Sequence, residues 1–281
     1  MVWLPRWGCD GMIGSAQKLL MGVAGVPSGG PWDIGSASYS GVSLSVSAQE
    51  GNPQDLFFKP DGAKLYIIGV GTDSVNEYNL SPAWDISSAS HVQSFSVSSQ
   101  ESLPTGLFFK PDGLKMYVAG QGGDEVNEYD LSSAWDISTA VFVQRFDVDN
   151  EDTTPRGLSF KDDGTKMYII GTGSDGIHEY SLSSAWNIST AAFTQTFSVS
   201  AQMTDPAGLF IKDDGSRLYT VSGGNVDQYE VSTPWDIRTA SYTKRFSVSS
   251  QTTTGSGVFF KPDGTMMFVN GLATVYEYDV G

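Results

Sequence analysis

The chain has 281 residues, with 32 acidic against 16 basic side chains, a net charge of −16, and 12% aromatic residues. This composition excludes intrinsic disorder and argues against a phosphate-backbone partner, which needs clustered Lys and Arg. The single cysteine, Cys9, rules out an intramolecular disulfide, and the longest apolar run, residues 19–26, is far too short to span a membrane.

Residues 1–30 match nothing else in the chain. They are rich in Gly and apolar side chains and end in Pro-Ser-Gly-Gly, with one short helix expected over 12–24. Trp3, Leu4, Trp7, Leu19, Leu20 and Met21 would be a liability if left in water, so this stretch reads as a docking segment. A secretory signal is not favoured, because Trp3, Trp7 and Asp10 interrupt the head and no small-x-small site precedes Pro27.

From residue 31 to residue 281 the chain is repetitive. The stretch GLFFKPDGLKMYVAG from Gly106 has relatives starting at Asp55, Gly157, Gly208 and Gly257, at spacings of 51, 51, 51 and 49 residues. Each reads as an inner strand, an Asp-Gly turn (Asp61-Gly62 and its equivalents) and a second strand whose near-continuous apolar run suits a sheet covered on both faces. A Gly-rich loop leads to a third strand, as in VNEY. A Trp-Asx-Ile mark follows, then a Ser/Thr/Gln-rich fourth strand with the alternation of an outer edge (39–46, 91–97, 142–148, 193–199 and 242–248).

Four antiparallel strands at a period near 50 residues predict an all-β fold, a β-propeller with five blades. The repeats are out of phase with the chain. The first strand, 39–46, is of the outer type, and the last, 274–280, is of the third type. The N-terminal strand is therefore expected to complete the C-terminal blade and close the ring, which argues against an open solenoid or a ring of several chains.

Residues present in every blade are architectural before they are catalytic, since a reaction needs one site. Trp32, Trp84, Trp135, Trp186 and Trp235 are expected to anchor loops between blades, each followed by an Asx that caps the turn. Lys59, Lys110, Lys161, Lys212 and Lys261 recur before the turn, and Glu77, Glu128, Glu179 and Glu277 in the third strand, with Gln228 the exception; a Lys–Glu or Lys–Asp pair is expected in each blade. His91 and His178 fall in different elements, and no nucleophile elbow or phosphate loop is present. Asp147, Asp149 and Asp152 form a local acidic departure that offers hard oxygen ligands for calcium. It lacks the glycine and distal glutamate of an EF-hand loop, so a solvated loop is the plainer reading and no cofactor is expected. By geometry, the Asp-Gly turns and the Trp loops share one face, from which residues 1–30 leave. The Gly-rich loops and the crossovers between blades share the other.

The segments GLFFKPDGLKMYVAG, VNEYDLSSAWDIST and FSVSSQ resemble a tandem propeller repeat of bacteriophage structural and tail-associated proteins, distantly similar to lactonase-like and WD-repeat-like propellers. The resemblance covers residues 31–281. It implies a virion protein without enzymatic activity, docked to other virion proteins through residues 1–30, multimeric in the assembly, and presenting its other face to a host glycan or protein. Localisation is then the extracellular particle, or alternatively a bacterial surface or the secreted fraction. A lectin-like propeller is the alternative, weakened by connecting loops that vary in length and lack aromatics. A lactonase- or glycosidase-type enzyme would need one-off acids such as Asp124, Glu125, Asp175 and Asp205 to converge on the axis.

Overall fold

The five Asp-Gly turns reverse the chain as the repeat predicts. In the first, Gly62 adopts φ +73°, and its N–H donates to the Lys59 carbonyl at 2.7 Å. A computed structural model describes residues 29–281, so Trp3, Leu4, Trp7, Leu19, Leu20 and Met21 lie outside the described residues.

Strand β1 (Ser38–Ser45) comes first in the chain but belongs to the last sheet. The first blade is β2 (Pro53–Phe58), β3 (Lys64–Gly69), β4 (Ser74–Asn79) and β5 (Ser90–Ser96), in that spatial order. The second is β6 (Pro104–Phe109), β7 (Lys115–Gly120), β8 (Glu125–Leu131) and β9 (Ala140–Asp147). The third is β10 (Pro155–Phe160), β11 (Lys166–Gly171), β12 (Gly176–Leu182) and β13 (Ala191–Ser198). The fourth is β14 (Gly208–Ile211), β15 (Arg217–Ser222), β16 (Asn225–Val231) and β17 (Ala240–Ser247). The fifth is β18 (Gly257–Phe260), β19 (Met266–Gly271) and β20 (Thr274–Asp279), completed by β1, with Ser38 opposite Asp279 and Ser45 opposite Thr274.

Consecutive inner strands touch all the way round, including β18 against β2, so the ring is closed. This is the expected five-bladed propeller of antiparallel four-stranded blades. The second and third strands of each blade are buried on both faces, while the outer strands alternate towards solvent.

Between blades sits a repeated clamp built on tryptophan. Trp32, Trp84, Trp135, Trp186 and Trp235 all have φ between 64° and 72°, a left-handed conformation that bulky residues avoid. Each costs about 1–3 kcal/mol of backbone strain. The surroundings hold it. The Trp84 N–H donates to the Gly62 carbonyl at 3.0 Å, and the indole lies so close over Gly62 that a Cβ there would come within 2.2 Å of Nε1. The left-handed turn also aims the tryptophan carbonyl at the preceding blade. Tyr66 donates its hydroxyl to the Trp135 carbonyl at 2.7 Å, Tyr117 to Trp186 at 2.6 Å, Tyr168 to Trp235 at 2.9 Å, and Tyr219 to Trp32. The Asx that follows caps a short 3-10 turn, as Asp85 does by accepting from the Ser87 N–H.

Of the two kinds of partner expected for the lysines before the turn, the structure gives aspartate and not the strand glutamate. Lys59, Lys110, Lys161, Lys212 and Lys261 bind the aspartate of their own turn at 2.6–2.8 Å. The buried glutamates of the third strands take the lysine that follows the turn instead: Lys64 with Glu77, Lys115 with Glu128 at 2.5 Å, and Lys166 with Glu179 at 2.7 Å. That lysine opens the second strand, directly across the ladder from the third, whereas the lysine before the turn reaches only the turn itself. In the fourth blade Gln228 is neutral, and the cations move to Arg217, on Glu230, and Lys244, on Asp33.

The interface between the fifth and first blades lacks both devices. Phe268 stands where the tyrosine would be, packing 4.4 Å from Phe58, and Met266 stands where the cation would be. Glu277, without a lysine, has its carboxyl raised by burial and by the charges of Asp279 and Asp85, against a hydrogen bond from Ser40. Met266→Lys with Phe268→Tyr restores the pair and the clamp to this seam. At about 1 kcal/mol for a regained hydrogen bond, the melting temperature should rise by roughly 2–4 °C in calorimetry. A fall, or no change, would show that the seam is complete as it stands.

Candidate functional site

The inner strands surround the axis, and the same register position of each points into it. At the first such level the residues are Phe57, Phe108, Ser159, Phe210 and Phe259. Phe57 meets Phe108 and Phe259, and Phe259 meets Phe210, each edge-on at 5.3 Å between centroids. The aromatic ring breaks at the third blade, where buried Ser159 replaces phenylalanine.

Two residues past the inner strand, at the Asp-Gly turns, the axis is ringed by Pro60, Pro111, Asp162, Asp213 and Pro262. The two departures from proline fall on the third and fourth blades, on the side where Ser159 opens the ring. Together these residues line a cavity of about 330 Å³ that opens on the face of the turns, at the lower end of the range for small-ligand sites.

Both aspartates remain accessible at the mouth while protein surrounds them on most sides. Partial burial is therefore the main cause that raises the Asp162 carboxyl, with the charges of Asp213 and Asp163 adding to it against Lys161, and brings it to about 6. Asp213 is likewise raised by burial and by Asp214, against Lys212. Their neighbours one position on behave oppositely: in Asp163 and Asp214, hydrogen bonds from the turn lysine and from Thr165 or Ser216 overcome burial and hold the carboxyl down to about 2. The turn lysines are thus committed to Asp163 and Asp214, and no cation contacts Asp162 or Asp213 within ion-pair distance among the described residues.

At the inner end of the cavity stands Asp55. The other four inner strands carry Gly106, Gly157, Gly208 and Gly257 here, and a Cβ at Gly257 would come within 2.6 Å of Asp55 Oδ1. Asp55 accepts from the Leu56 N–H at 2.8 Å and the Leu107 N–H at 2.9 Å, across two blades. Burial outweighs these bonds and pushes its carboxyl up to about 8. The same Cβ at Gly257 would meet Asn270 Oδ1, buried and without a donor.

The acids singled out in the sequence fall elsewhere. Asp152 is buried under the loop between β11 and β12, where it accepts from the backbone of Thr154, Gly173 and Ser174 and from the Ser174 hydroxyl, with His178 Nε2 at 3.4 Å. Burial opposes these bonds, yet they hold its carboxyl down to about 2. Asp147 caps the Asp149 N–H at 2.9 Å. Of the calcium candidates Asp147, Asp149 and Asp152, the first and last are therefore engaged separately, and among the described residues no group of three or more His, Cys, Asp or Glu side chains is arranged to hold a metal. Glu50 and Glu101 occupy the position of Asp152 in their blades and cap the equivalent loops.

Asp124 and Asp175 sit at left-handed loop positions, and their carbonyls receive the Val148 and Val199 N–H groups. Glu125 is buried beside Arg145 at 3.3 Å. Of these four acids, only Asp205 lines an opening on the axis, on the opposite face. His91 lies on an outer strand, in contact with Ser94.

Asp55 and Ser159 are single departures, and Asp162 with Asp213 a shared one, within the most regular part of the repeat. Column-by-column comparison of the five copies carries this signal, and fivefold recurrence hides it by marking the stretch as scaffold.

The chain matches no protein-family model and no curated protein. Solved structures of similar fold include a Lactobacillus plantarum protein (17% identity over 77% of this chain and 63% of that one, TM-score 0.50). Others are the periplasmic gluconolactonase of Pseudomonas aeruginosa (18%, 77% and 62%, TM-score 0.48) and a Bacteroides fragilis protein named a 6-phosphogluconolactonase (15%, 77% and 62%, TM-score 0.48). The chain spans about three fifths of the length of these structures. At such identities the likeness shows the propeller fold alone. One expectation is corrected, that the chain is not an enzyme: the similar solved structures include proteins named as lactonases, and a missing motif excludes no activity.

Ionisation of Asp55 tests the electrostatics of the cavity. An unfolded aspartate ionises near 4, and the folded carboxyl near 8, so the native state holds a proton that the unfolded chain has lost between those values. Stability should fall as pH rises through this window, by up to about 1.4 kcal/mol per pH unit from this group. In Asp55→Gly, the residue of the other blades, urea titrations at pH 5 and pH 8 should differ less than in the wild type. An equal difference would place the proton elsewhere.

Proposed function

We propose that the propeller is a binding module whose axial cavity takes a cationic group on an apolar stem, such as the lysine side chain of a partner protein. The observation that carries this reading is the clustering of Ser159, Asp162 and Asp213 on one side of an otherwise Phe- and Pro-lined cavity. Aromatic walls accommodate an alkyl chain and attract a cation through their ring faces. Two carboxyl groups with no lysine of their own supply the counter-charge at the mouth.

The assembly that fits this module is a bacteriophage virion, in line with the resemblance of the repeat. Residues 1–30 dock the chain to other virion proteins. Residues 29–31 lie beside the turn of the fifth blade, where the Trp32 N–H binds the Gly264 carbonyl at 2.9 Å. The cavity mouth is on that same face and so turns towards the assembly, leaving the opposite face for a host surface.

Hexylammonium is a suitable probe, with hexanol as its neutral counterpart. Calorimetric titration should show hexylammonium binding at least about tenfold tighter than hexanol. Asp162→Pro with Asp213→Pro, which restores the repeat's own residue, should abolish that preference. Ser159→Phe should fill the cavity and exclude both. Because Asp162 titrates near 6, affinity should hold above that pH and weaken as pH falls through it. Equal binding of hexanol and hexylammonium would overturn the reading.

A second reading rests on that same ionisation. A carboxyl that exchanges its proton near neutrality beside a second carboxyl has what general acid–base chemistry needs. Hydrolysis of a lactone or glycoside by the wild type, lost in both Asp162→Asn and Asp213→Asn, would support it.

A further inference from the structure

At its other end the axis opens through a second cavity of about 290 Å³, between the crossovers that join the blades. The inner-strand position here is Gln54, Thr105, Arg156, Ala207 and Ser256, so Arg156 is the one charged member of its column. In a chain of net charge −16, this arginine forms no ion pair among the described residues. Its Nη1 reaches Gln54 Oε1 at a long 3.4 Å, and its Nε is buried with no acceptor. A guanidinium donor shut away from water and left unbonded is costly, and the planar fork of Arg suits an oxyanion that would satisfy it.

Asn52, Gln54, Thr253 and Thr254 bring amide and hydroxyl groups to the lining, while the Ser256 hydroxyl is held by the Pro53 carbonyl and the Asn270 amide. The wall is braced where the Gly255 N–H bonds to the Gly223 carbonyl at 2.7 Å. Leu272, at φ 45° and 68% exposed, sets one apolar side chain at the rim. Asp205 stands in the same opening as an acceptor.

We infer that this opening is a binding site for an acidic monosaccharide, a sugar carrying a carboxylate or a phosphate. Arg156 holds the oxyanion, the amide and hydroxyl side chains meet the ring hydroxyls, Asp205 accepts from one of them, and Leu272 covers the apolar face of the ring. A neutral sugar leaves the guanidinium unsatisfied, and a bare anion leaves the hydroxyl-lined wall unused. The site is separate from the aromatic cavity, lies on the opposite face and does not depend on the reading given for it.

Isothermal titration of the full chain with galacturonate, glucose 6-phosphate, glucose and inorganic phosphate tests this. One of the two acidic sugars should bind at least about tenfold tighter than glucose and than inorganic phosphate, and which one does so distinguishes a carboxylate from a phosphate ligand. Arg156→Gln should weaken it by about tenfold or more at an unchanged melting temperature. Glucose binding as tightly as both acidic sugars, an affinity unaltered in Arg156→Gln, or no binding of either acidic sugar would overturn the inference.

Discussion

The ring depends on five tryptophans held in a conformation they would not choose. Left-handed backbone at Trp135 turns its carbonyl to the Tyr66 hydroxyl of the blade before it and lays its indole over Gly113 of its own turn. One strained residue thereby ties the turn, the loop and the neighbouring blade together. The strain is tolerated because the glycine has no Cβ to collide with the indole and the tyrosine's hydroxyl is buried unless it finds that carbonyl. The Gly of the turn, the Tyr of the second strand and the Trp of the loop form a single unit spread over 69 residues of sequence in the case of Tyr66 and Trp135.

The fold was legible because this unit recurs with its spacing intact. Period, strand count and the phase of the outer strands led directly to five blades and to closure by residues 39–46, the region that pairs with β20. Which lysine meets which glutamate was less accessible. Both candidates flank the turn, and only the ladder register places Lys64 opposite the third strand. The cavity was least accessible. Ser159 for Phe and Asp55 for Gly are one-letter differences inside the stretch that looked most like scaffold, and their meaning depends on the axis bringing equivalent positions face to face. The acids that stood out by local density, Asp147, Asp149 and Asp152, were misleading for the converse reason: a carboxylate beneath a Gly-rich loop is the loop's own cap in three blades.

Fivefold repetition thus builds a frame with an axis, and single departures decide what each end of the axis does. Towards the turns the departures are acidic, Asp162 and Asp213, over an aromatic wall. Towards the crossovers the departure is basic, Arg156, over hydroxyls and amides. Between the two, Asp55 lies buried in a plane of glycines, and the two cavities share no lining residue. A propeller with identical blades could not separate its ends in this way, because any charge placed at one level would be repeated five times and would repel itself across the axis.

Closure by β1 has a further consequence. The Gly281 N–H bonds to the Ser36 hydroxyl at 3.1 Å, so the two ends of the propeller meet within one blade. The position of the break in a ring of near-equivalent blades is therefore a matter of gene order rather than of architecture. Joining residue 281 to residue 31 and reopening the chain in the loop before β9 would keep every strand beside its present neighbours and move the tether to another blade. The chain already crosses the seam between the fifth and first blades from β1 to β2; the fifth blade would become continuous from β20 to β1 as well, and the ring would be closed instead by the β8–β9 ladder inside the second blade.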